Sequence, residues 1–176
     1  MNTCALRLSA LIAIIGLVAQ STVAAPSSLH DPLLDRLLGT WVLRGVIAGK
    51  PVTHVVEAQW VLAHEYIQIH ETSRSKTAHG APEYEAIVYI GWNPDNKQYA
   101  CLWLDTTGGN GLAGWAIGHA RADSTRLAFV FSDPAGEPSV HNTFAFDRLT
   151  NSWQWTIENI EKGQPRPFAT VTLTRH

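Results

Sequence analysis

Leu37-Leu38-Gly39-Thr40-Trp41 divides this chain into two unlike parts. Before it, Asp31-Pro32-Leu33-Leu34-Asp35-Arg36-Leu37-Leu38 carries apolar residues at helical spacing, which predicts a short helical stub. After it, apolar and polar residues alternate almost to the C-terminus. Gly39 suits the corner between the two, because it adopts tight backbone angles at no Cβ cost. Trp41 then stands at the start of the first strand, placed to plug the end of whatever the strands enclose.

Outward from Trp41, short strand-like runs are separated by turn residues. The expected strands are 39–47, 52–62, 65–74, 83–92, 98–105, 112–120, 125–132, 139–146, 152–160 and 167–175. Asn93-Pro94-Asp95-Asn96-Lys97 and Asp133-Pro134-Ala135-Gly136-Glu137-Pro138 are the plainest turns. The spacing is that of hairpins and leaves no room for crossover helices. It predicts an all-β fold: about ten antiparallel strands in an up-and-down barrel, with a short N-terminal helical stub. Closure also removes exposed sheet edges. A two-sheet sandwich is the alternative.

Alternation assigns the faces. Trp153, Trp155 and Ile157 oppose Gln154, Thr156 and Glu158, and Val171 and Leu173 oppose Thr170, Thr172 and Thr174. The same rule places Ile67 and Ile69 inside with His70 outside. It puts Tyr99, Cys101, Trp103 and Asp105 on one face, and it sends Trp115, Ile117 and His119 inward.

Leu38-Gly39-Thr40-Trp41 followed by this strand series resembles the calycin superfamily, whose lipocalin members open with Gly-x-Trp at the same place. Glu57-Ala58-Gln59-Trp60-Val61-Leu62 and Gly91-Trp92-Asn93-Pro94-Asp95-Asn96-Lys97-Gln98-Tyr99 resemble two motifs of a bacterial family of uncharacterised lipocalin-like domains. The likeness covers most of residues 33–175. It implies a barrel with an internal cavity and brings no catalytic residues with it. The nitrobindin family also begins with Leu-Gly-Thr-Trp and has ten strands, but its haem histidine lies near the C-terminus. There this chain has only His176.

Residues 1–25 read as a signal peptide. Arg7 gives a basic start, Leu8 to Ala19 is a run of small and apolar residues, and Ser21-Thr22-Val23-Ala24-Ala25 offers a cleavage site. A run of roughly a dozen residues falls short of the about 20 needed to span a bilayer. Cys4 precedes the run, so it is not placed for lipid attachment. Residues 26–176 are then a single barrel domain, periplasmic or secreted, with no stable membrane insertion after cleavage. The formal charge of −2 becomes about −3 once Arg7 is removed, which offers no electrostatic footprint for nucleic acid. Cys101 is the one cysteine left, so export brings no internal disulfide.

Seven tryptophans are the sharpest compositional feature. Trp60, Trp103, Trp115 and Trp155 are expected either to line a cavity, stacking on a small apolar or aromatic ligand, or to fill the barrel. His54, Asp105, His119, Asn142 and Asn159 are the polar residues expected inside, where they would orient a ligand or simply be hydrogen-bonded within the core. His119, flanked by Trp115 and Ile117, is the firmest of these. There is no His-x-His pair, no His-Glu-x-x-His and no cysteine pair, so no metal site is expected. Gly109-Asn110-Gly111-Leu112-Ala113-Gly114 spells a dinucleotide fingerprint, but strand rather than helix is expected to follow it, so no cofactor is implied. The motif reads instead as a loop at the barrel mouth.

The leading expectation is an exported lipocalin-like barrel that binds a small apolar or aromatic molecule inside. The alternatives are an enzyme built in the same cavity with His119 and Asp105 as acid–base pair, a haem protein, and an envelope protein that binds a partner on its outer surface.

Overall fold

A computed structural model of the protein describes residues 31–108, 111–121 and 123–176. The signal segment expected over residues 1–25 lies outside the described residues, as do Gly109 and Asn110 of the glycine motif. A four-residue helix α1 (Pro32–Asp35) precedes ten strands: β1 (Gly39–Ile47), β2 (Lys50–Val61), β3 (Tyr66–Ser73), β4 (Glu85–Asn93), β5 (Gln98–Asp105), β6 (Gly118–Ala120), β7 (Arg126–Ser132), β8 (Pro138–Asp147), β9 (Ser152–Glu161) and β10 (Gln164–Arg175). Each strand pairs antiparallel with its neighbours in sequence, and β1 pairs with β10, so the sheet closes on itself. The up-and-down barrel expected from the hairpin spacing is present, and the sandwich is not.

One end of the barrel is packed shut. Asp31 caps α1 by accepting from the Leu33 amide at 2.7 Å, and Pro32 occupies a first-turn position, where its missing N–H costs nothing. The helix turns Leu33, Leu34 and Leu37 into the core, where none is more than 4 % exposed. Tyr99 donates from β5 to the Asp31 carboxylate, and Trp60 Nε1 donates from β2 to Asp35 at 2.9 Å. These bonds tie the plug to the barrel wall. Above it Trp41, Leu43, Ile69, Ile90, Phe129, Phe144 and Trp153 fill the closed half, each at 2 % exposure or less.

Gly39 has φ of +104°, and a Cβ there would come within 2.6 Å of the Arg175 guanidinium. The corner therefore needs glycine twice over, for its backbone angle and for the room it leaves. The first strand then buries Trp41, Val42 and Leu43 in succession before Arg44 turns out.

The sixth strand is shorter than expected. Instead of strand over 112–120, the chain makes turns, then a single 3₁₀ turn at Gly114–Ala116, and enters β6 only at Gly118. The glycines at 108, 111 and 114 have no side chain to pack on a sheet, and Leu112 is 83 % exposed. The break also resets the alternation. Gly118 and Ala120 lie opposite Cys101 and Tyr99 and are buried, while His119 lies opposite Ala100 on the outer face. A Cβ on Gly118 would stand 2.6 Å from the Phe131 ring, so the space inside that strand is filled from β7.

Candidate functional site

In an up-and-down barrel the hairpins alternate between ends. The β1–β2, β3–β4, β5–β6, β7–β8 and β9–β10 connections surround the end opposite α1. That end holds a cavity of about 400 Å³. This is within the roughly 300–1,000 Å³ typical of small-molecule sites. Ile47, Val52, Trp103, Trp155, Ile157 and Phe168 supply its apolar wall, and His54, Glu71, Ser73, Tyr84 and Asp105 its polar side. Barrels of this strand number leave room for one small ligand where side chains do not fill them.

The aromatic wall is held from behind. Trp155 stacks on Phe144 at 4.6 Å and 23°, and its Nε1 donates to the buried Asn142 at 2.6 Å. Trp103 meets Trp155 at 5.4 Å, tilted by 51°. Trp103 Nε1 donates to Asp105 at 3.1 Å. With their indole N–H groups already bonded, both rings offer apolar surface.

The polar side forms one cluster. His54 and Glu71 are 5 % and 2 % exposed, and His54 Nδ1 stands 2.5 Å from Glu71 Oε1. The Tyr84 ring stacks over His54 at 5.7 Å, and its hydroxyl donates to Asp105 at 3.4 Å. Burial pushes the Tyr84 phenol well above its usual range, and the Glu71 and Asp105 carboxylates add to the shift. Tyr84 is therefore a neutral donor at physiological pH. Asp105 also accepts from the Thr107 amide at 2.8 Å and the Thr107 hydroxyl at 2.5 Å. Its two oxygens thus take four donors.

The cavity brings together four of the residues expected from sequence: His54, Trp103, Asp105 and Trp155. Asn142 stands behind the wall as the anchor of Trp155. Asn159 is half-buried on β9. Trp60 belongs to the plug at the closed end. Two expectations are corrected. Trp115 lies in the 3₁₀ turn after the fifth strand, outside the set that lines the cavity, because the glycine-rich connection does not continue as sheet. His119 points outward, into a shallow surface groove beside Arg121 and Arg126, because Gly118 and Ala120 take the inward positions. The pairing of His119 with Asp105 therefore does not exist.

Glu71, Ser73 and Tyr84 are the polar site residues that the sequence reading missed. Continuing the period of Ile67 and Ile69 by one step places Glu71 inside, so a signal for it was available. Tyr84 lies in the irregular segment before β4, where no periodicity points to it. Among the described residues, no three of His, Cys, Asp and Glu converge as metal ligands.

No family model matches the chain, and no curated protein matches it significantly.

Proposed function

We propose that this protein is an exported, lipocalin-like barrel that takes a small apolar or aromatic molecule through the end opposite α1. The carrying observation is the cavity itself: an open half-barrel above a packed half-barrel, with two anchored indoles on its wall. A barrel made only for stability would gain from filling that volume, since buried large side chains contribute about 1.5–3 kcal/mol each. The apolar run over residues 8–19 supports export. The outer face carries Arg44, Glu57, Gln59 and Gln154, the reverse of the apolar band that a lipid-facing barrel presents.

A second reading, catalysis in the same cavity, rests on the His54–Glu71 pair. A carboxylate at Nδ1 fixes the ring and its tautomer, as it does for an imidazole used as a base. No substrate-specific geometry accompanies the pair, so binding remains the primary reading.

Native mass spectrometry of the protein purified from its own host tests the proposal. A bound small molecule, released by Trp103→Ala at unchanged fold, supports it. Apoprotein alone, together with no saturable response to any aromatic probe, contradicts it.

A further inference from the structure

The apolar wall says that a ligand is flat or greasy; the opposite side says what its polar end must be. Glu71 accepts from His54 through Oε1 only, and no group among the described residues donates to its second oxygen. His54 is bonded through Nδ1 only, and its Nε2 likewise has no protein partner among the described residues. Both residues are more than nine-tenths buried, yet neither atom is sealed off, so both open to the cavity that they line. With the shared hydrogen on Nδ1, directed at the Glu71 carboxylate, Nε2 of a neutral imidazole is an acceptor too. Two acceptors face the cavity where no donor of the chain meets them.

Charge points the same way. Lys50 and Glu83 are exposed at the mouth and offset one another. Deeper in stand two carboxylates, Glu71 and Asp105, against the single imidazole of His54. Asp105 is saturated by its four donors but still contributes its negative field. The indole faces of Trp103 and Trp155 are also favourable to a cation. An anionic ligand would meet the repulsion of both carboxylates, with the Ser73 hydroxyl inside and the Lys50 ammonium at the mouth as the donors left to it.

Resting on the binding role proposed above, we propose that the cavity selects an arylalkylamine: a ring lying against the wall that Trp103 and Trp155 form, with its ammonium donating to Glu71 Oε2 and His54 Nε2. Ammonium carries three donors and a positive charge, so it satisfies both acceptors at once. A hydroxyl supplies one donor and no charge. A carboxylate supplies neither.

Calorimetric titration of the full protein at neutral pH with naphthylethylamine, naphthylethanol and naphthylacetate tests this, since the three share a ring system and differ in the head group. The amine is expected to bind at least tenfold more tightly than the alcohol, and the acid more weakly than both. Glu71→Gln preserves volume and is expected to reduce the amine's advantage about tenfold while the alcohol's affinity moves less than about twofold. Equal affinities, or preference for the acid, overturn the amine assignment and leave the binding role standing. So does an unchanged amine preference in a folded Glu71→Gln variant. If none of the three binds, both the assignment and the binding role fall.

Discussion

The guanidinium of Arg175 lies 3.7 Å above the centre of the Trp41 ring, and its Nη1 donates to the carbonyl oxygen of Leu38 at 2.5 Å. The last strand is thereby clamped to the first at the rim that α1 closes. Trp41 Nε1 in turn donates to the Leu37 carbonyl at 2.6 Å. Helix, corner and barrel closure meet at one point, and Gly39 leaves space for it.

Arg175→Ala is expected to lower stability by about 1–3 kcal/mol, since it removes a cation–π contact and charge-assisted hydrogen bonds together. Arg175→Lys should recover only part, because ammonium lacks the planar fork. Urea denaturation reads both. A loss below about 0.5 kcal/mol, the scale of an ordinary surface substitution, contradicts the clamp.

The tryptophans separate by function. Trp103→Ala should weaken binding of an aromatic probe at least tenfold, about 1.4 kcal/mol. Trp60→Phe, which removes the bond to Asp35 in the plug, should lower thermal stability and leave probe affinity within about twofold. His119→Ala, on the outer face, should leave it unchanged as well. Fluorescence titration of the three variants checks the division, and loss of affinity on His119→Ala would contradict the placement of β6.

The architecture was legible because period two is hard to mistake when one face is Trp153, Trp155 and Ile157 and the other Gln154, Thr156 and Glu158. The residues of β5 were assigned correctly for the same reason, although both its faces are partly apolar. What alternation misjudged was His119. Run through 112–120 as one strand, the rule sent 115, 117 and 119 inward, whereas the interior there is filled by Phe131 reaching across to Gly118. That is a contact between distant residues, invisible to a local pattern. The cavity was legible only in part, because Tyr84 comes from an irregular connection.

Stability should fall on both sides of neutral pH. The Thr150 hydroxyl and then the Leu149 amide hold the Asp147 carboxyl below its usual range. The unfolded chain therefore takes up its proton first, at about pH 3.9, and stability is lost as pH falls from there through the folded value. Asp147→Asn should flatten that acid limb, as a melting series from pH 6 down to about 2 would show. Burial raises Cys101, Tyr84 and Tyr99, with Glu71 and Asp105 adding at Tyr84 and Asp31 at Tyr99. Here the folded state keeps protons that the unfolded state releases, so stability should decline as pH rises past about 8.5–10.

Cys101 gives a kinetic check on the core. It is fully buried at 0 % exposure, and burial pushes its thiol up, so little thiolate is available to react. Alkylation of the native protein should therefore proceed only as fast as unfolding allows, and should accelerate with Leu34→Ala, which removes about 2–5 kcal/mol of plug packing. Rapid labelling of the unperturbed protein would contradict the closed half-barrel.

The most direct test of the whole account is to fill the cavity. Val52 lines it and is half-buried, so Val52→Trp places an indole in the open volume without disturbing the plug. The wild-type protein should bind one naphthyl probe saturably. The variant should bind it at least tenfold more weakly while losing less than about 1 kcal/mol of stability, where a packed core would lose roughly 1–3 kcal/mol to overpacking. Unchanged probe affinity in the variant, or no saturable binding in the wild type with a strongly destabilised variant, would show that the open half of this barrel is not a binding site.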